Sequence, residues 1–136
     1  MPLTIKKYDG NKSLKNLYKK QTGTIFTKTD IIYTFYNNNV FVGYFIYSKK
    51  NNDTVRIEWI YGPGYGKKIM KIMEKLFIKN KICNIILNAS VDPTENKETV
   101  MKRINFYIGL NYRIYDIIFR KKYGPLLLMK KNLCND

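Results

Sequence analysis

Gly62, Gly64 and Gly66 surround Pro63 in the run Tyr61-Gly62-Pro63-Gly64-Tyr65-Gly66, and Lys67 and Lys68 follow at once. Glycine and proline at this density are costly in the interior of a strand or helix, so the run is a turn. A turn that hands over to a helix exposes successive backbone N–H groups, and that arrangement binds phosphate oxygens. Lysines in a first helical turn oppose the helix dipole, a conflict that a bound phosphate removes. A second chemical group lies just upstream. Glu58 is the only carboxylate in the strand leading into the turn, and the chain has no histidine. A general base must therefore be a carboxylate, a water or a backbone group. Strand alternation points Glu58 opposite Ile57 and Trp59, either toward a cleft or toward Arg56.

These groups need a frame, and the hydrophobic pattern supplies one. A weak alternation at residues 3–8 suggests a first strand, and Asn11 opens a short helix with Leu14, Leu17 and Tyr18 at helical spacing. Residues 21–29 read as a polar loop. Strands are expected at 31–36 and 40–47, joined by Asn37-Asn38-Asn39, since asparagine tolerates positive φ in a hairpin turn. A third strand, 54–60, runs into the glycine turn. Beyond it, Ile69, Ile72, Met73 and Leu76 form a helical stripe, with Lys71, Lys75 and Lys79 outside it on a solvated face. The apolar run 82–87 suits a buried strand, which makes a strand–helix–strand crossover with the turn at its ligand-binding edge. Asp92-Pro93-Thr94-Glu95 is expected to start a helix, with Asp92 as N-cap, and Asn111 to end it in the left-handed position. Two strands, 112–120 and 125–133, complete a single domain spanning residues 1–136.

Composition narrows the partners. A hydrophobic content of 45% with 15% aromatic residues argues for a folded globule. No run approaches the ~20 apolar residues of a membrane span, and no secretory leader precedes the first strand. Cys83 and Cys134 have neither metal-site spacing nor the density of a disulfide framework, so a reducing, cytoplasmic setting and no metal are expected. Cys83, in an apolar strand with no base beside it, is a poor nucleophile. The formal charge of +15 favours anionic ligands. A basic nucleic-acid-binding module is the competing class. It is not expected, because the lysines are spread along the whole chain and most tyrosines fall in core patterns.

The order of elements, with two short motifs, resembles the GCN5-related N-acetyltransferase (GNAT) superfamily. Gly64 and Gly66 match its Arg/Gln-x-x-Gly-x-Gly/Ala signature, with Tyr61 in place of Arg or Gln. Phe106-Tyr107-Ile108-Gly109-Leu110-Asn111-Tyr112 is similar to its Phe-Tyr-x-x-x-Gly-Phe, with Asn111 for Gly and Tyr112 for Phe. The resemblance covers roughly residues 33–133. It implies an α/β (α+β) fold: a mixed, mostly antiparallel sheet of six to seven strands, flanked by helices and splayed beside the glycine turn. It also implies acetyl-CoA as co-substrate. Its pyrophosphate would lie on the amides of Gly64, Tyr65, Gly66 and Lys67, with Lys68 nearby, and its pantetheine arm along Trp59, Ile60 and Tyr61. Tyr107 matches the position whose hydroxyl protonates the departing thiolate. Val100 stands where an asparagine often contacts the cofactor, so that contact is not carried over.

The implied reaction is attack of a primary amine on the thioester within a ternary complex. Freeing an amine of pKa ~10.4 at pH 7 costs about 4–5 kcal/mol, whereas positioning two substrates contributes roughly 7–11 kcal/mol. Orientation should dominate, with Glu58 as base (Asp116 the alternative) and Tyr107 as acid. Ten carboxylates in a +15 chain leave little for an acidic acceptor pocket, which favours a phosphorylated amino sugar over a polyamine or a lysine-rich peptide. Arg56-Ile57-Glu58-Trp59-Ile60 is similar to a His-Ile-Glu-Asp-Val stretch of glucosamine-6-phosphate N-acetyltransferases. A degenerate fold that only binds is a third reading. A homodimer is also entertained, with the terminal strand 125–133 able to mediate it.

Overall fold

Alternating apolar residues and asparagine turns build one seven-stranded sheet. The computed structural model describes residues 2–134. The elements run β1 (Thr4–Lys7), α1 (Lys12–Thr22), β2 (Ile31–Asn37), β3 (Val40–Lys49), β4 (Thr54–Tyr61), α2 (Gly66–Lys79), β5 (Asn84–Ser90), α3 (Lys97–Gly109), β6 (Arg113–Ile118) and β7 (Leu126–Asn132). Strand order is β1-β2-β3-β4-β5-β7-β6, and among the described residues only the β4–β5 pair is parallel. The expected mixed, mostly antiparallel sheet flanked by helices is what forms.

Two cores hold it. On one face, Ile69, Met70, Met73 and Phe77 of α2 and Val100, Ile104 and Tyr107 of α3 pack on Phe45, Val55, Ile85 and Met129 of the sheet. On the other, Leu14 and Tyr18 of α1 pack on Ile32, Tyr44 and Ile46. The β2–β3 hairpin turns through Asn38 and Asn39 at φ 50° and 67°, and Asn111 takes φ 70° after α3, as their residue type foretold.

Several boundaries differ from the sequence reading, each for a local reason. α1 continues through Thr22, whose hydroxyl donates to the Tyr18 carbonyl, before Gly23 closes it at φ 74°. β5 begins at Asn84, because Cys83 and Asn84 both donate backbone N–H groups to the Asp53 carbonyl in the approach to the strand. Asp92 does not cap α3. Its carboxylate accepts from Thr94 N and Oγ1 in a separate turn, and Asn96 caps the helix by accepting from Glu98 N at 2.7 Å. β7 is not a free edge: it lies between β5 and β6, and β6 forms the border. Cys83 and Cys134 are joined in a disulfide with Cα atoms 4.9 Å apart. Leu133 N donates to the Cys83 carbonyl, which extends the β5–β7 ladder and brings the two cysteines together. Cysteine usage therefore gives no support to a reducing compartment. Among the described residues, no helix is long and apolar enough to cross a membrane.

Candidate active site

The site begins where the parallel ladder ends. β4 and β5 pair from Thr54↔Asn84 to Ile57↔Leu87 and no further. Beyond Leu87, β5 keeps only its β7 partner, and beyond Ile57, β4 keeps only β3. The strands part, and a cleft of about 420 Å³ opens between them, lined by Glu58, Trp59 and Ile60 on one side, Asn88 and Ser90 on the other, and Arg103 and Tyr107 from α3. Backbone groups of Trp59 and Ile60 on the β5 side have no strand to pair with, which is what an extended amide-bearing ligand needs.

A bulge is the reason. Ile46 pairs with Trp59 but Tyr47 pairs with Ile57, so Glu58 is an extra residue in β4. The alternation slips there. Val55, Ile57 and Ile60 belong to the α2–α3 core, whereas Trp59 and Tyr61 pack with α1 and its neighbours. Glu58 thus lies opposite Ile57 as expected, but it shares the face of Trp59, because the extra residue cancels one alternation. Its carboxylate accepts from Ser48 Oγ at 2.5 Å and from Arg56 Nε at 2.9 Å. Glu58 lines the cleft, and its carboxylate is tied to Arg56.

At the mouth, Tyr65 N donates to the Gly62 carbonyl at 2.8 Å and Gly64 takes φ 79°, a conformation that suits glycine. Gly66 opens α2 against Phe106, whose ring atoms would stand 3.0 Å from an added Cβ. Phe106 of the second motif therefore packs on the turn of the first. α2 has no side-chain cap and no acidic residue in its first turn, so its leading N–H groups are free for an anion. Lys67 and Lys68 are exposed there, and Lys68 Nζ lies 5.8 Å over the Tyr65 ring. Tyr65 is fixed by an Asn37 Nδ2 donor at 3.0 Å. Tyr61 does not line the cleft; its ring packs 5.9 Å from that of Tyr44.

Tyr107 is buried in α3, and its hydroxyl makes no hydrogen bond among the described residues. Burial pushes its pKa up to about 12, against a smaller opposing pull from Arg103. Arg103, one turn earlier, holds Glu95 through two hydrogen bonds of 3.2 and 2.6 Å and donates to the Ser90 carbonyl at 3.1 Å. Arg120 donates to Ser90 Oγ at 2.7 Å, which pins the β6–β7 turn to the same strand end. Sequence reasoning missed Arg103 and Ser90. The i, i+4 spacing of Arg103 and Tyr107 on one helix was the available signal. Asp116 sits on the exposed strand β6 and does not line the cleft, and Val100 is buried in the core. A second cavity, about 350 Å³ between α1 and β1–β3, holds none of the expected site residues.

No family model and no curated protein matches this sequence. The fold is nonetheless that of GNAT acetyltransferases. The aminoglycoside 6′-N-acetyltransferase from Enterococcus faecium superposes with a TM-score of 0.73 at 13% identity, covering 98% of this chain and 98% of that one. Ard1 from Thermoplasma volcanium gives 0.73 at 14% identity, with 99% and 100% covered. A GNAT family acetyltransferase from Elizabethkingia anophelis, solved with acetyl-CoA bound, gives 0.67 at 13% identity, with 96% and 97% covered.

Proposed function

We propose that this chain is an acetyl-CoA-dependent N-acetyltransferase that moves an acetyl group to a primary amine by direct attack in a ternary complex. The observation that carries the reading is the parting of β4 and β5 between an uncapped helix start and a free tyrosine hydroxyl. The residues fit the ligand. Amides of Gly64, Gly66 and Lys67 would take the pyrophosphate, with Lys67 and Lys68 adding charge; the Tyr65 N–H, expected to join them, is already given to the Gly62 carbonyl. Backbone of Trp59 and Ile60, which line the cleft, would hold the pantetheine arm as an added strand. Acetyl-CoA supplies a thioester whose thiolate leaves readily.

The chain itself supplies position and protons. Tyr107, held protonated by burial, donates its proton to the leaving sulfur. Glu58, directly or through a water, accepts the proton of the incoming amine, while Arg56 and Ser48 keep its carboxylate in place.

For the acceptor we favour a phosphorylated amino sugar such as glucosamine 6-phosphate. The reading rests on the +15 charge and the scarcity of carboxylates. Peptide amines and polyamines are the alternatives. Acetyl-CoA at micromolar concentration should raise the melting temperature, and a chain that fails to bind it would end this proposal. A thiol-release assay over glucosamine 6-phosphate, spermidine and peptide amines then identifies the acceptor. Turnover of spermidine but not of the sugar phosphate would defeat the charge argument.

A further inference from the structure

The cavity of about 350 Å³ between α1 and β1–β3 shares no lining residue with the cleft. A second bulge shapes it. Phe35 pairs with Gly43 but Tyr36 pairs with Phe41, so Val42 is an extra residue in β3. Val42 packs on the α2–α3 core, and Phe41 turns to the α1 face, where its ring stacks 6.4 Å from that of Tyr44. Tyr36 meets Phe41 edge to face at 6.0 Å. Neither Tyr36 nor Phe41 belongs to a hydrophobic cluster, although Leu14 and Leu17 of α1 line the same cavity. An aromatic pair is thus left facing an open space of ligand size, at the small end of the ~300–1,000 Å³ usual for such pockets.

The charges around this space are mostly positive. Lys6 pairs with Thr34 in the β1–β2 ladder, so both side chains share the face of the cavity, and Lys6 Nζ lies 5.1 Å over the Tyr36 ring. Lys6 and Lys7 line the cavity against a single carboxylate, Asp9, which accepts from Asn11 N at 3.1 Å. Neither lysine joins an ion pair among the described residues. The first turn of α1 opens at the same place, through Asn11 and Ser13, and holds no acidic residue. Its dipole adds to the field that favours an anion. We propose that this cavity is a second binding site, for a small aromatic carboxylate. The flat ring lies among Tyr36, Phe41, Leu14 and Leu17, and the acid group meets Lys6.

Isothermal titration of the full chain with 2-naphthoate tests this. The expected Kd lies below about 100 μM, and the cationic analogue 2-naphthylmethylamine should bind at least about tenfold more weakly. Lys6→Glu, which reverses a charge beside the ring site, and Leu17→Trp, which fills the cavity, should each weaken naphthoate binding at least about tenfold. Lys67→Ala/Lys68→Ala should leave it unchanged, since the anion-binding turn of α2 is a different place. Unchanged melting curves will show that the variants fold. Should Leu17→Trp not fold, Phe41→Ala removes the aromatic wall instead and should weaken binding likewise. No binding up to about 1 mM overturns the proposal. So does equal affinity for the amine, an affinity that survives either change to the cavity, or one that is lost in Lys67→Ala/Lys68→Ala, since the site would then lie elsewhere.

Discussion

Tyr107 and Tyr112 meet edge to face with ring centroids 5.6 Å apart, yet their hydroxyls are committed differently. Tyr112 donates to Glu74 Oε2 at 2.9 Å, and Glu74 also accepts from Lys131 Nζ at 2.9 Å. Burial, with the Glu74 charge, raises the Tyr112 pKa strongly. That hydroxyl serves the scaffold, while the hydroxyl of Tyr107 is free beside the cleft. Tyr107→Phe should therefore lower kcat about 10²-fold with little change in coenzyme affinity, as removal of a general acid does. Tyr112→Phe should lower the melting temperature and spare kcat. The pH profile has a definite sign. An acid must be protonated to act, and a tyrosine raised to about 12 stays so through pH 10. kcat should show no alkaline loss from this group below about pH 11, and a fall near pH 9 that persists in Tyr107→Phe would belong to another group.

Glu58 carries two tasks that separate variants can divide. As an ion-pair partner it orders Arg56, and as a carboxylate at the cleft it can take a proton. Glu58→Gln keeps the shape and removes the base, so kcat should drop roughly 10²-fold while acetyl-CoA binding holds. Arg56→Ala removes the half-exposed ion pair, worth about 0–1 kcal/mol, and should leave the fold nearly as stable. If Glu58→Gln retains full kcat, water or backbone must serve as base instead.

The sequence disclosed the frame better than the site's internal geometry. Alternation, the asparagine turn at Asn38-Asn39 and the glycine turn were local signals, and they placed the hairpin, the crossover and the parallel pair. The extra residue at Glu58 was not local. A bulge depends on how β3 faces β4, and nothing in Val55–Trp59 announces that Ile46 and Tyr47 will skip a partner. Arg103 stayed hidden because its partners, Glu95 and the Ser90 carbonyl, come from outside its helix. Asp92 was misassigned because its carboxylate had two ways to satisfy nearby N–H groups. The Thr94 turn prevailed, and Asn96 was left as the cap.

The glycine turn makes a position-specific prediction. Gly64 adopts φ 79° with nothing within 4 Å of an added Cβ, so Gly64→Ala is strained only in its backbone. Gly66→Ala instead meets Phe106. Gly64→Ala should raise the acetyl-CoA Kd with a modest stability loss of about 1–2 kcal/mol. Gly66→Ala should lower stability and coenzyme affinity together, by pushing Phe106 from the turn. Lys67→Ala/Lys68→Ala should raise the Kd about three- to thirtyfold at low salt, with the difference shrinking as salt screens it. Isothermal titration at two salt concentrations measures all three.

The Cys83–Cys134 bridge should act on stability without touching catalysis. It joins the approach to β5 to the end of β7, at the far end of β5 from Asn88 and Ser90 in the cleft. Its sequence separation of 51 removes loop freedom from the unfolded chain, worth about 4 kcal/mol at most. Part of the constraint is already supplied by Leu133 N donating to the Cys83 carbonyl, so the native fold should survive reduction. Cys83→Ser, or reduction of the parent chain, should lower the urea midpoint while leaving kcat and acetyl-CoA affinity unchanged. A loss of activity at full folding would instead tie the bridge to the cleft through β5, whose residues Leu87–Ser90 form one of its walls.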